Sequence, residues 1–361
     1  MRILFTGGGT GGHIFPIIAV MRAFDWTLGY QFYYLGPDSF VEKNLPNKSM
    51  KIKFISAGKF RRYFSLETFF DLIKIFIGLI QSFWQLFVWM PDVIFSKGGY
   101  GSFSVVLAGW FYRIPIVLHE SDSVPGLANR ILARFARRVI LSWPGSEQYF
   151  GKYRNKLVLI GNPVRNELTQ GVENQGRRLF KISSNKPVIL ILGGSQGAQK
   201  INEEVVNTLP RLLEIAEVIH ISGKENFKFV EQETKTSPDY HLYPFLDVEQ
   251  LKHALAVADL IVNRAGAGSI AEISAVGKPS ILIPIPDSAQ DHQRQNAYKF
   301  AEGGQTVVLD QENLTPNIFL DTISNLLSNP AKLKQMGQKA KTFYNYHTPE
   351  LIRDEILKFI T

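Results

Sequence analysis

Short apolar runs rich in β-branched and aromatic residues recur along the first half of the chain, at Ile3–Thr6, Gln31–Leu35, Val93–Ser96, Ile116–His119, Val139–Leu141 and Val158–Ile160. After Gly161 the pattern restarts, at Val188–Leu192, Val218–Ser222, His241–Tyr243, Leu260–Val262, Ser280–Pro284 and Thr306–Leu309. Helix-length amphipathic segments separate several of these runs. Strands alternating with helices predict α/β domains whose parallel sheets are covered on both faces. The restart puts a boundary near Asn162-Pro163, with an N-terminal domain over 1–162 and a C-terminal domain over 163–341. A terminal segment, 342–361, carries the helix-like run Pro349–Ile360, which is expected to dock on either domain, including back on the first. The polar stretch Gly171–Asn185 reads as a loop. The chain has 361 residues, 45% of them hydrophobic, enough for two domains that each bury a core.

One segment departs from the alternation. Phe69–Met90 is apolar nearly all round, interrupted by Asp71, Lys74, Gln81, Ser82 and Gln85. A membrane span wants about 20 almost uninterrupted apolar residues, and the interruptions argue against one here. Basic and aromatic residues alternate just before it, in Lys59-Phe60-Arg61-Arg62-Tyr63-Phe64. Basic residues beside an aromatic face describe a helix lying in a membrane interface; the competing reading is a buried helix of an α/β domain.

Charge sharpens that picture. The chain carries a net +8, and residues 1–162 hold 19 Lys/Arg against 9 Asp/Glu, while the remainder holds 21 against 23. A basic half beside a near-neutral half predicts that the first half meets something anionic, a lipid surface or a diphosphate. No nucleic-acid-binding signature is present, and no nucleic acid is expected as a partner. Cysteine is absent, which excludes disulfides, thiolate catalysis and cysteine-held metals. No charged segment followed by a long apolar run opens the chain, so a cleaved signal peptide is not expected.

Two strand-like runs end in glycine clusters that lead into helices: Gly7-Gly8-Gly9-Thr10-Gly11-Gly12 and Gly193-Gly194-Ser195-Gln196-Gly197-Ala198. Glycine lets the backbone turn sharply and approach a ligand, and the following helix start favours an anion. Two such turns about half a chain apart suggest two nucleotide-fold domains facing a shared cleft. A dinucleotide reading needs an acid closing the second strand; that strand ends in Gly36-Pro37 and Asp38 falls late. His13, at the mouth of the first turn, is a candidate general base. Gly98-Gly99-Tyr100-Gly101-Ser102 is either a third anion turn or an ordinary connection. His119-Glu120-Ser121-Asp122 ends an apolar strand, where such folds place ligands, though a buried His–Glu pair fits equally. Ser195 is placed for a diphosphate or as a plain cap. Ser269 and Glu272 have capping-box spacing, so Glu272 is either a cap or a ribose-binding carboxylate. Asp291–Ala297 is either surface or a sugar reader. No cluster has metal-site spacing, and no metal or other cofactor is expected.

Taken together, GGTGGH at 8–13, GGYGS at 98–102, LHES at 118–121, GNPVR at 161–165, GGSQGA at 193–198, RAGAGSIAE at 264–272 and DHQRQNA at 291–297 resemble the MurG family of bacterial transferases. These motifs span nearly the whole chain in the family's order. The resemblance implies a GT-B fold: two Rossmann-like, doubly wound parallel-sheet domains facing a central cleft, the first for acceptor and membrane, the second for donor. It implies an inverting, metal-independent transfer of N-acetylglucosamine from UDP-N-acetylglucosamine, a substrate and not a cofactor. The acceptor implied is the C4 hydroxyl of undecaprenyl-diphospho-N-acetylmuramoyl-pentapeptide, in peptidoglycan synthesis at the cytoplasmic face of the cell membrane.

Carried over by position, His13 matches the proposed base, with Glu120 as a second catalytic candidate. Thr10, Gly11 and Gly12 match a loop that cradles the acceptor diphosphate and approaches the donor sugar; Gly9, Gly99, Tyr100, Gly101 and Ser102 join the acceptor side. Asp122 and Asn129 match positions near the donor sugar, Arg165 a donor-contacting arginine, Ser195 a diphosphate contact and Leu246 a backbone contact to uracil. Arg264 matches a basic residue beside the donor, Glu272 the ribose carboxylate and Gln293 a sugar contact, with Ala267, Gly268, Ser269, Ile270 and Ala271 in the same donor segment. Some members carry Gln-Asn where this chain has Ser121-Asp122, and bulkier residues where it has Gly266 and Gly268, which bears on donor specificity. The alternatives are another GT-B enzyme, such as a glycolipid synthase or a UDP-N-acetylglucosamine 2-epimerase, and a non-catalytic nucleotide- or phospholipid-binding protein.

Overall fold

A computed structural model describes residues 1–8, 11–37, 50–58, 66–193, 198–286, 288 and 291–360. The chain divides into two units, one made of Met1–Pro163 with Tyr346–Thr361 and the other of Val164–Asn345.

The first unit runs β1 (Arg2–Thr6), α1 (Gly11–Arg22), β2 (Gln31–Gly36), β3 (Lys51–Phe54), α2 (Leu66–Trp89), β4 (Val93–Ser96), α3 (Phe103–Phe111), β5 (Ile116–Glu120), α4 (Leu127–Leu132), β6 (Arg138–Leu141) and β7 (Leu157–Leu159). Its seven strands are ordered β3-β2-β1-β4-β5-β6-β7, and their pairings are parallel. Strand side chains alternate between faces, so each strand feeds two cores. Leu4, Ile94 and Leu118 enter one; Ile3, Phe5, Phe95 and Val117 enter the other with Ile14 and Ile17 of α1.

The second unit repeats the plan with α5 (Glu173–Leu179), β8 (Val188–Leu192), α6 (Gln199–Ile215), β9 (Glu217–Ile221), α7 (Phe227–Glu233), β10 (Tyr240–Tyr243), α8 (Val248–Val257), β11 (Leu260–Asn263), α9 (Ala267–Val276), β12 (Ser280–Leu282), α10 (His292–Ala301), β13 (Thr306–Val308), α11 (Pro316–Leu327) and α12 (Pro330–Phe343). Its parallel order is β10-β9-β8-β11-β12-β13. In both sheets the winding reverses between two neighbouring strands, β1 and β4 or β8 and β11. Ligands of open α/β sheets bind outside the carboxyl ends of the strands at such a point. The final helix, α13 (Thr348–Leu357), returns to the first unit, where Ile352 and Ile356 join the cluster around Phe5. Arg353 Nη1 donates to the Ala23 carbonyl at 2.8 Å, and Arg138 Nε pairs with Glu355 at 3.0 Å.

Two local expectations fail. Lys51–Phe54 is a strand that the pattern did not announce. It lies at the sheet edge with little burial, so its pairing with β2 and not its apolar content makes it β. The polar stretch Gly171–Asn185 contains α5 and is not a continuous loop. Glu173 opens that helix and Arg177 and Arg178 close it, matching the helix dipole, with a Glu173–Arg177 pair at 3.4 Å.

Helix α2 is apolar on both sides. Asp71, Ser82, Leu86 and Trp89 are buried, whereas Phe69, Ile73, Phe76, Ile80, Trp84 and Phe87, at helical spacing, are exposed. Phe76 is 64% exposed and Trp84 68%. The inner face packs Leu79, Phe83, Leu86 and Trp89 against the core, Ser82 Oγ is satisfied within the helix by the Gly78 carbonyl at 2.7 Å, and Gln81 Oε1, at the edge, accepts from Ser56 N at 2.8 Å. A Cβ at Gly78 would lie 1.9 Å from the Ser56 carbonyl oxygen, so only glycine permits this approach. Trp110 and Phe111, at the end of α3, add to the exposed apolar surface, and Phe111 packs edge-on to Phe83 at 5.1 Å. A helix buried in the core is thereby excluded for this face. Phe69–Trp89 is long and apolar enough to cross a membrane by length and composition, with a mean hydropathy of 1.6. Its inner face is nonetheless committed to the protein.

Candidate active site

In the first unit the candidate residues gather at the carboxyl ends of β1, β4 and β5. Gly11 and Gly12 open α1, and His13 follows in its first turn. Gly98 and Gly99 follow β4 with φ of 78° and 74°, a region that side chains rarely adopt. A Cβ on Gly98 would sit 2.0 Å from Asn129 Oδ1, and one on Gly99 would sit 3.0 Å from His13 Nε2. The turn is thus pressed between α1 and α4. Tyr100–Ser102 forms a short 3-10 turn, and Ser102 Oγ donates to the Gly99 carbonyl at 3.2 Å.

Glu120 is the hub of this cluster. Its Oε2 accepts from Asn129 Nδ2 at 2.8 Å and from Gly126 N at 3.3 Å, while Oε1 accepts from Asp122 N at 2.8 Å. Asn129 Oδ1 in turn accepts from Gly99 N at 3.1 Å. Burial, then the nearby Asp122 charge, pushes the Glu120 carboxyl up to about 7, against the pull of its hydrogen bonds and of Lys97. His119 is also buried; its Nε2 meets the Gly161 carbonyl at 3.0 Å and its Nδ1 meets Lys97 Nζ at 2.7 Å. Burial, and then the Lys97 charge, hold His119 well below its ordinary pKa, so it is neutral. Sequence reasoning passed over Lys97. The available signal was a lysine directly after an apolar strand and directly before two glycines.

In the second unit the candidates follow β8, β10, β11 and β12. Arg165 Nη2 lies 3.3 Å from Glu272 Oε1. The capping alternative for Glu272 does not hold: the N-cap of α9 is Gly266, without a side-chain cap, and Ser269 falls inside the helix. Ala267, Ile270 and Ala271 are buried, with Gly268 and Ser269 partly so, and Glu272 stands at the helix's partly exposed side. Leu246 is buried just before a helix start in which Asp247 Oδ1 accepts from Gln250 N at 2.8 Å and Gln250 Oε1 accepts from Asp247 N at 3.1 Å. That reciprocal cap fixes the Leu246 backbone. Gln293 Oε1 accepts from Ile285 N at 3.2 Å, in the loop after β12. Arg264 is buried, and its Nη1 donates to the Ile283 carbonyl at 3.1 Å; burial lowers its pKa to about 10. Gly9, Thr10 and Ser195, with Lys59–Phe64 ahead of α2, lie outside the described residues.

Models of the N-terminal and C-terminal domains of glycosyltransferase family 28 match residues 3–141 and 188–349. The chain belongs to glycosyltransferase family 28. A family 28 relative from Clostridium kluyveri is 36% identical over 361 residues, covering 99% of this chain and 98% of its own. One from Legionella pneumophila (strain Paris) is 38% identical over 328 residues, covering 90% and 88%. Both are named UDP-N-acetylglucosamine–N-acetylmuramyl-(pentapeptide) pyrophosphoryl-undecaprenol N-acetylglucosamine transferase. The crystal structure of Acinetobacter baumannii MurG matches with a TM-score of 0.76 at 25% identity, covering 99% of each chain. A UDP-GlcNAc 2-epimerase from Neisseria meningitidis matches with a TM-score of 0.68 at 13% identity over 99% of this chain and 100% of that one, a likeness of fold alone. The two parallel sheets are those of a GT-B enzyme.

Proposed function

We propose that this family 28 enzyme moves N-acetylglucosamine from UDP-N-acetylglucosamine to the C4 hydroxyl of undecaprenyl-diphospho-N-acetylmuramoyl-pentapeptide. The observation that carries the reading is near-full-length similarity to transferases named for this reaction, joined to the cluster of His13, Gly99, Asn129 and Glu120. The C4 oxygen attacks the anomeric carbon, the bond from that carbon to the phosphate oxygen breaks, and UDP leaves from the opposite face with its electron pair. The hydroxyl proton goes to His13, which stands beside the glycine turn. Glu120, its carboxylate engaged by Asp122 N, Gly126 N and Asn129 Nδ2, supports that geometry through Asn129, which accepts from Gly99 N. The amides of the 193–198 turn, with Ser195, stabilise the charge growing on the leaving diphosphate. Glu272 accepts the ribose hydroxyls, Arg165 and Gln293 hold the donor, and the Leu246 backbone meets the uracil. Arg264 acts from below the site, through the loop after β12 that it braces.

The acceptor's lipid carrier fits the outward face of α2, and the enzyme is read as peripheral on the cytoplasmic side of the membrane, drawn there by the basic first half. That exposed face favours a lipid-borne acceptor over the epimerase reading. The test is incubation of purified protein with labelled UDP-N-acetylglucosamine and a short-chain analogue of the lipid-linked muramyl-pentapeptide, with chelator present. Label in the lipid product together with released UDP is expected. Donor binding without transfer overturns the reading, and competing acceptors then separate a glycolipid synthase from a binding protein.

A further inference from the structure

The buried cation beneath the glycine turn is not used by the chemistry above. Lys97 directly follows β4, is 1% exposed, and is clamped by its N–H to the Thr6 carbonyl at 2.8 Å. Its Nζ reaches His119 Nδ1 at 2.7 Å and Asn162 Oδ1 at 3.5 Å. The Gly161 carbonyl can only accept, so His119 Nε2 carries the ring hydrogen and Nδ1 offers a lone pair. The Lys97 ammonium therefore donates to His119 and is not neutralised by it.

We propose that Lys97 is a positioning residue: its buried ammonium holds His119 in one tautomer at the end of β5, next to Glu120, and through the Glu120–Asn129 contact sets the Gly98-Gly99 turn against His13. A buried charge is costly unless opposite charge or hydrogen bonds meet it. The charged groups that face Lys97 are Glu120 and Asp122; burial lowers its pKa, and both carboxylates pull it back up. Glu120 is faced by Lys97 and by Asp122, which act in opposite directions. His13 stands across the turn, beside Gly99. An ionised Glu120 accepts from Asp122 N, Gly126 N and Asn129 Nδ2 together. A protonated Glu120 must turn one oxygen into a donor, and a donor facing these N–H groups breaks the set. Asn129 then loses its anchor, and Gly99 N loses Asn129 Oδ1. Without Lys97 the positive charge that opposes burial and the Asp122 charge at Glu120 is lost, and the carboxyl takes up its proton at higher pH.

This inference rests on the transferase reading for its turnover readout. Lys97→Gln keeps a donor for His119 without the charge, and Lys97→Met keeps neither. Both are expected to lower kcat at neutral pH by about tenfold or more while KM for the donor changes little, and to move the acid limb of the kcat profile to higher pH. Wild-type kcat and pH profile in Lys97→Gln overturn the proposal, as does a rise in donor KM alone. Should Lys97→Met fail to fold, Lys97→Gln decides. Nitrogen NMR of the His13 and His119 rings needs no turnover. The wild type should show His119 protonated at Nε2, and Lys97→Gln should shift His13. An unmoved His13 resonance refutes the positioning role even where no transfer is found, whereas failure of transfer by the wild type refutes only the function.

Discussion

Replacing Phe76 and Trp84 together by alanine tests the proposed membrane role of α2 directly. Large aromatic side chains each bury about 150–250 Å² when enclosed. At 64% and 68% exposure, roughly 100–170 Å² of each remains in water in the free protein. At about 25 cal/mol per Å², full transfer of one ring is worth on the order of 3–4 kcal/mol. Shallow insertion into the headgroup boundary realises about half of that, so the pair is worth about 3 kcal/mol, or about a hundredfold in partition. The assay is co-sedimentation with vesicles containing anionic lipid, at fixed salt. Folding stability should change by no more than about 0.5 kcal/mol, because neither ring supports the core. Transfer to a water-soluble acceptor analogue should persist. Unchanged vesicle binding by a well-folded double variant refutes the assignment of this face to lipid.

His13→Ala is expected to lower turnover by about 10²–10⁴-fold with donor still bound, measured as label transfer beside calorimetric UDP titration; near-normal turnover removes it as the base. Glu272→Ala should weaken UDP binding by roughly 10–100-fold through lost charged hydrogen bonds, with kcat little altered, and an unchanged Kd by titration counts against ribose contact. Glu120→Gln tests the raised carboxyl. Between its ordinary value of 4.5 and about 7 the folded chain holds a proton that the unfolded chain has released, so this group's contribution to stability falls as pH rises through that window. The Tm of Glu120→Gln relative to wild type should therefore increase from about pH 5 to about pH 8 in thermal melts, and a constant difference refutes the assignment.

Much of the architecture can be read from local pattern. Apolar runs at Ile3–Thr6, Val93–Ser96 and Val188–Leu192 are strands, because the central strands of parallel sheets are buried on both faces and leave continuous apolar stretches. The glycines after Ser96 are legible too, since only glycine suits the φ values that bring the backbone against His13 and Asn129. Edge strand β3 and helix α5 were not legible. Their side chains are polar or half exposed, and their states follow from neighbours supplied by other parts of the chain.

Local pattern sets the alternation of strand and helix, the two-part organisation, and the loops that carry candidate chemistry. These depend on periodicity and backbone sterics within a few residues. Tertiary structure decided which side of α2 faces out, since Gly78 against Ser56 turns the side with Leu86 and Trp89 inward and leaves the aromatic stripe in water. It decided that Glu272 pairs with Arg165 instead of capping its helix. It also decided that Lys97, unremarkable in the chain, is a buried cation beside His119. Burial and charge pairing join residues distant in the chain, and no local pattern carries their free energy.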